Sequence, residues 1–149
     1  MRIALIHPEI AGNTGAILRL AACFGVPVDI VEPCGFAFSD RSLKRAGMDY
    51  AGHAVVTRHA DLAAFDSAVS GRRVLLTTHG DTRLDAMRFA AGDVLMLGSE
   101  SAGAPQAVHD AAAFRVAIPM VAGLRSLNIG MATGIALWEA ARQTGGLPE

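Results

Sequence analysis

Aromatic residues are scarce: six Phe, one Tyr and one Trp in 149 residues. Ala, Val, Leu and Ile must therefore fill the interior of a chain that is 52% hydrophobic and long enough for a real core. Cysteine is scarcer still. Cys23 and Cys34 have no zinc-like spacing and build no disulfide framework, which points to a reducing, cytoplasmic setting. The five His also lack metal spacing, so no metal is expected. Net charge is −1, which gives no sign of the basic footprint common in nucleic-acid-binding domains. Lys44 is the only lysine. The arginines that replace it elsewhere suit bidentate phosphate contacts and base stacking, although GC-rich coding alone also favours Arg. No apolar run reaches membrane-spanning length, because Arg125 and Glu139 interrupt the longest, so no membrane partner is expected. The N-terminus enters a strand pattern without an apolar signal core. With no linker, low-complexity segment or repeat, residues 1–149 read as one domain.

What is present alternates strand and helix. Strand patterns fall at Arg2–His7, Val28–Val31, Ala54–Thr57, Val74–Thr78, Asp93–Leu97 and Arg115–Ile118. Between them lie helix patterns. One runs from a cap at Asn13 or Thr14 to about Phe24, with Ile17, Leu20, Ala21 and Phe24 on one face and Arg19 off the stripe. A short basic one runs from Ser39 or Asp40 to near Gly47, a third spans Asp61–Val69, and a fourth starts at Pro105. The expected fold is α/β, a single parallel sheet with helices on both faces. Ligands of such sheets sit beyond the carboxyl ends of the strands. Three polar or Gly-rich turns fall there, after Leu76, Leu97 and Ile118, and one site built from all three is plausible.

The segment Ile118–Trp138 organises the rest. It leaves a strand, turns through Arg125-Ser126-Leu127-Asn128 and enters a helix that is apolar almost all round. Such a helix must be buried, in the core or against a partner, and Gly130 and Gly134 let another backbone come close. The polar turn sits where free helix N–H groups are offered to oxygen-rich ligands.

Taken singly, the motifs are weak. Gly98-Ser-Glu-Ser-Ala-Gly103 is neither a P-loop nor a dinucleotide fingerprint, and an ordinary strand-to-helix turn explains it equally well. Asn13 and Asn128 are most often caps. Arg19 and Arg125 are most often solvated. His79, at a strand end, is a mild candidate, and no Ser/His/Asp set stands out.

Taken in order, three blocks resemble the three motifs of the SPOUT RNA methyltransferases: Asn13-Thr14-Gly15-xxx-Arg19; Leu97-Gly98-Ser99-Glu100-xx-Gly103-x-Pro105; and Ile118-Pro119-Met120 followed by Arg125-Ser126-Leu127-Asn128. The connecting segments Glu32-Pro33-x-Gly35-Phe36, Leu43-x-Arg45-Ala46-Gly47-x-Asp49-Tyr50 and Thr57-Arg58-His59 are similar to those of the short TrmL-like tRNA (cytidine/uridine) 2′-O-methyltransferases. The resemblance covers nearly the whole chain. It implies a C-terminal trefoil knot, a homodimer and S-adenosyl-L-methionine as methyl donor. It implies transfer to the ribose 2′-OH of the wobble nucleotide in a tRNA anticodon stem-loop. The cofactor pocket would be lined by Leu76 and Thr77, by Gly98, Glu100 and Gly103, and by Ile118, Met120, Ser126, Leu127 and Asn128. Arg19 would act on the hydroxyl, with Asn13 orienting its region and Arg125 holding phosphate or ribose. Arg41, Lys44, Arg45 and Arg58 would follow the RNA backbone. Two readings stay beside this one: another tRNA or rRNA ribose as target, and a nucleotide- or RNA-binding module without turnover.

Overall fold

The computed structural model describes residues 1–38 and 53–149. Strands β1 (Arg2–Ile6), β2 (Val28–Val31), β3 (Val56–His59), β4 (Arg73–Leu76), β5 (Thr82–Arg83), β6 (Val94–Leu97) and β7 (Phe114–Ala117) form one sheet. Their order is β3-β2-β1-β6-β4-β7-β5, and every pairing is parallel. Among the described residues four α-helices accompany it: α1 (Ala11–Phe24), α2 (Leu62–Ala68), α3 (Gln106–Ala111) and α4 (Ile129–Thr144).

The central strands β1 and β6 are buried on both sides, as a doubly covered sheet requires, whereas the edge strands β3 and β5 carry polar residues. Alternation assigns the two faces. Ile3, Leu5, Val28, Ile30, Val74, Leu95 and Leu97 meet Ile17, Leu18 and Ala21 of α1 and Ala136, Leu137 and Ala140 of α4. Ala4, Ile6, Val31, Leu75, Val94 and Met96 meet Phe65 of α2 and Val108 of α3. Helices thus cover both faces, as the strand–helix alternation predicts.

Several local expectations are corrected. Helix α1 starts at Ala11, and its capping position, Ile10, has no side-chain bond to give. Asn13 and Thr14 lie inside the first turn and do not cap it. The Thr14 hydroxyl is buried without a hydrogen bond among the described residues. The third strand begins at Val56, two residues later than expected. Strand β5 and the 3₁₀ turn Leu84–Ala86 after it have no sequence counterpart, because a two-residue strand has no readable period. Helix α4 is not enclosed on every side. Thr133, Ala136, Leu137, Ala140 and Ala141 are buried, but Met131, Ile135 and Trp138 are 65%, 43% and 53% exposed. The two glycines of α4 face α1: a Cβ at Gly130 would meet Ala16 Cβ at 3.6 Å, and one at Gly134 would meet Leu20 Cδ2 at 3.8 Å. The expected basic helix with Arg41, Lys44 and Arg45 lies outside the described residues.

One connection matters for the site. Residues 77–81 leave β4 and reach β5, yet β7 lies between those two strands. Leu76 and Thr82 are both level with Val116, so the connection must pass across β7. It does so in contact: a Cβ at Gly80 would stand 2.5 Å from Ala117 N. Only glycine fits there.

Candidate functional site

The turns after β4, β6 and β7 converge on one cavity of about 550 Å³ at the carboxyl edge of the sheet. That is an ordinary volume for a small-molecule or cofactor site. All ten residues expected to line a cofactor pocket, from Leu76 and Thr77 through Glu100 to Asn128, line this cavity. Asn13 and Arg125 line it too. Its walls are apolar at Leu76, Leu97, Ile118, Leu127 and Ile129 and polar at Asn13, Thr77, Glu100, His109, Ser126 and Asn128.

The Gly-rich turn after β6 is closed on itself. Ser99 N donates to Gly103 O at 3.1 Å, and Gly103 N donates to Ser99 O at 2.9 Å. Gly103 has φ +73°, a left-handed conformation that disfavours side chains. Closure of the turn leaves Glu100 at its tip, pointing to α1.

Glu100 holds the segment that leads into α1. Its carboxylate accepts from Glu9 N at 2.8 Å, Ile10 N at 3.3 Å and Asn13 Nδ2 at 3.1 Å. A carboxylate at a helix N-terminus satisfies orphan amides and complements the helix dipole, worth on the order of 1 kcal/mol. Glu9 returns the contact. Its carboxylate accepts from Ser101 N at 2.8 Å and Ser101 Oγ at 2.7 Å. These two bonds, hydroxyl first and amide second, hold the Glu9 carboxyl below its ordinary value.

The chain of contacts continues to α4. Asn128 Nδ2 donates to Asn13 Oδ1 at 2.9 Å, and Asn128 Oδ1 accepts from Gly130 N at 2.9 Å and Met131 N at 3.3 Å. Asn128 is therefore a helix cap as well as a cavity wall. Glu100, Asn13 and Asn128 join the starts of α1 and α4 to the turn after β6. Each belongs to a different block of the sequence.

Arg19 stands apart. It is exposed on α1 and lines a shallow neighbouring groove with Gly12, Gly15, Ala16, Cys23, Met131 and Ile135. Asn128 lines both the groove and the cavity. Arg58, on β3, donates from Nε to Glu32 Oε1 at 2.7 Å. Arg41, Lys44 and Arg45 lie outside the described residues.

Sequence reasoning missed Glu9 and His109. The first was legible as an acid just ahead of a helix start. The second lines the cavity from α3, on the turn of helix after Pro105, and nothing in its neighbourhood in the sequence marks it.

A fully parallel, doubly covered sheet with a cofactor-sized cavity at its carboxyl edge defines a nucleotide-type α/β binding fold. The sequence places the chain within that class. Residues 1–138 match the SpoU rRNA Methylase family, and the chain belongs to it. Over 149 residues the chain is 47% identical to a tRNA (cytidine(34)-2′-O)-methyltransferase of Ancylobacter novellus, covering 98% of this chain and 94% of that protein. A solved structure from work on the 2-OH methylation of C/U34 on tRNA superposes with a TM-score of 0.90 at 39% identity, covering 95% of this chain and 94% of its own. An AdoMet-bound rRNA methyltransferase from Sinorhizobium meliloti superposes with a TM-score of 0.83 at 29% identity, over 95% of this chain and 55% of its own.

Proposed function

We propose that this protein transfers a methyl group from S-adenosyl-L-methionine to the ribose 2′-OH of the wobble nucleotide of tRNA, in the cytoplasm. One observation carries this reading: three turns far apart in sequence meet in one cavity and are tied together by Glu100, Asn13 and Asn128. The cavity suits the cofactor. Leu76, Leu97 and Ile118 offer apolar walls to a purine, and the polar lining residues of the three turns offer donors and acceptors to its edges. Bound there, the sulfonium compound would supply an activated methyl group.

The protein's part is to position the hydroxyl and manage its proton. Guanidinium groups keep their protons at neutral pH, so Arg19 serves to orient the hydroxyl and the adjoining phosphate and to stabilise developing oxyanion charge. Asn13 fixes the start of the helix that carries Arg19. Arg125, exposed at the cavity rim, holds phosphate or ribose. Arg41, Lys44 and Arg45 track the anticodon stem, with Arg58 contacting the RNA beside them.

Two further features belong to this reading. The trefoil knot is supported by β7 lying between β4 and β5, with Gly80 of their connection resting on its backbone. The homodimer is supported by the exposed Met131, Ile135 and Trp138 on α4. A second copy covering that face would enclose Arg19 where the two chains meet.

Transfer of labelled methyl from S-adenosylmethionine to total tRNA, followed by nucleoside analysis, tests the proposal. A 2′-O-methylated wobble nucleotide supports it. Label at another ribose, or in rRNA alone, redirects it. Binding of the donor with no transfer to any RNA leaves only a binding module.

A further inference from the structure

We propose that Phe36, Phe38 and Arg58 form a stacking shelf for an unpaired base of the RNA, beside the nucleotide that is methylated. This rests on the reading of tRNA as substrate. In a chain with so few aromatic rings, two of six Phe sit in the single loop that leaves β2 at the carboxyl edge of the sheet. Their rings are stacked, with centroids 6.1 Å apart and planes 29° apart. Both are half-buried, with part of each ring packed on the core cluster below β1 and β2. That packing fixes the rings while leaving part of each in solvent.

Arg58 completes the surface. Its guanidinium carbon lies 4.9 Å from the centre of the Phe38 ring. Glu32 holds it there through the bond to Nε, and its side chain remains 46% exposed. An ordered ring with a cation alongside is the arrangement on which unpaired bases stack. The ion pair with Glu32 offsets the charge of Arg58, so the shelf reads the flat face of a base more than it attracts phosphate. Charge for the backbone is near in the sequence, where Arg41, Lys44 and Arg45 follow Phe38.

The shelf is coupled to the cavity. Gly35 N donates to Pro8 O at 2.9 Å, and the next two residues, Glu9 and Ile10, donate their amides to Glu100. The loop that carries the rings is thus pinned to the segment that the cavity turn also holds. A base resting on Phe38 would be fixed in register with the cavity.

The test compares wild type, Phe38→Leu and Phe38→Tyr in binding to a synthetic anticodon stem-loop and to a duplex of the same stem without the loop. Leu keeps apolar packing and loses the ring, whereas Tyr keeps the ring. Phe38→Leu should bind the stem-loop roughly tenfold more weakly, the loss of one stacked base. Phe38→Tyr should bind within about twofold of wild type, and the duplex should not distinguish the three. The salt dependence should be the same in wild type and Phe38→Leu, since no phosphate contact is removed. The Kd for S-adenosylmethionine should be unchanged in both variants. Equal stem-loop affinity of Phe38→Leu and wild type overturns the shelf, as does an equal loss on the duplex. Failure of the wild type to bind any tRNA would instead overturn the functional reading beneath it.

Discussion

The cavity and the groove lie side by side, share Asn128, and differ in how complete they are. The cavity is walled by three turns of the same chain, and its rim is fixed by hydrogen bonds running from Glu9 to Met131. The groove has a floor of small residues and an apolar shoulder of Met131 and Ile135, with Trp138 further along α4, in solvent. A closed, bonded site is finished within one chain. An apolar shoulder of this kind marks a surface that something else covers. Under the proposed function the two regions would divide the work: the donor would be held inside one chain, and the acceptor handled at the surface that a second copy covers.

The largest expected effect would separate the two regions outright. Arg19→Ala should lower the methyl transfer rate by roughly 10²–10³-fold, the usual loss on removing one charge-stabilising group. It should leave the Kd for S-adenosylmethionine within about twofold, because Arg19 lines the groove and not the cavity. Single-turnover kinetics with equilibrium titration reads both. Full activity in Arg19→Ala would dissolve the division. Mixing Arg19→Ala with a cavity variant such as Gly98→Val sharpens it. A Cβ at Gly98 would lie 2.1 Å from Ala104 N, so Val there must distort the turn. If Arg19 serves the partner's cavity, the mixture regains part of the activity that each variant lacks alone.

Next in size is the apolar shoulder. Trp138→Ala should weaken self-association by about 2 kcal/mol, or some 30-fold in Kd, if this ring anchors the dimer. Trp138 meets Phe24 edge-on, with centroids 6.3 Å apart, so its orientation is fixed before any partner arrives. It is also the only tryptophan, so its emission reports the burial directly. Sedimentation showing an unchanged dimer in Trp138→Ala would move the interface elsewhere.

How legible these regions were in the sequence follows from the range of their interactions. Asn128 reads as a cap and is one, because capping is settled within three residues. The three turns read as one site because parallel strands bring their carboxyl ends to one edge. Asn13 reads as a cap and is not one. The acceptor for the two amides just ahead of α1, and for the Asn13 side chain, is Glu100, about ninety residues away, and no local rule points there. Strand β5 was invisible because it exists only by pairing with β7. The composition of α4 announces burial in the core or against a partner without saying which residues take which; Met131, Ile135 and Trp138 are the ones the core leaves exposed.

Smaller effects test the bonded rim. Glu100→Ala removes the acceptor shared by Glu9 N, Ile10 N and Asn13 Nδ2. It should cost about 1 kcal/mol of stability by thermal or urea unfolding. It should also weaken donor binding more than the transfer rate, since the turn is loosened and Arg19 is untouched. The reverse pattern would place Glu100 in the chemistry and not in the frame.

The least effect is the acid response, which again divides the molecule. Glu139, near the far end of α4, has its carboxyl pulled down from 4.5 to about 2, first by the side-chain bond from Arg142 and then by that from Gln143. A carboxyl lowered on folding stabilises the fold above its unfolded value, and that contribution is lost as pH falls from about 4.5 through about 2. Glu9 is lowered in the same sense, by Ser101. Both groups are only partly buried, so solvent screens each contribution. Their consequences differ by place. Glu139→Gln should flatten the acid limb of stability slightly and leave donor affinity alone. Glu9→Gln should weaken donor binding modestly at neutral pH, because Ser101 and the turn after β6 lose their anchor. A Glu9→Gln protein with unaltered donor affinity would mean that the cavity rim holds its shape without the contact between Glu9 and Ser101.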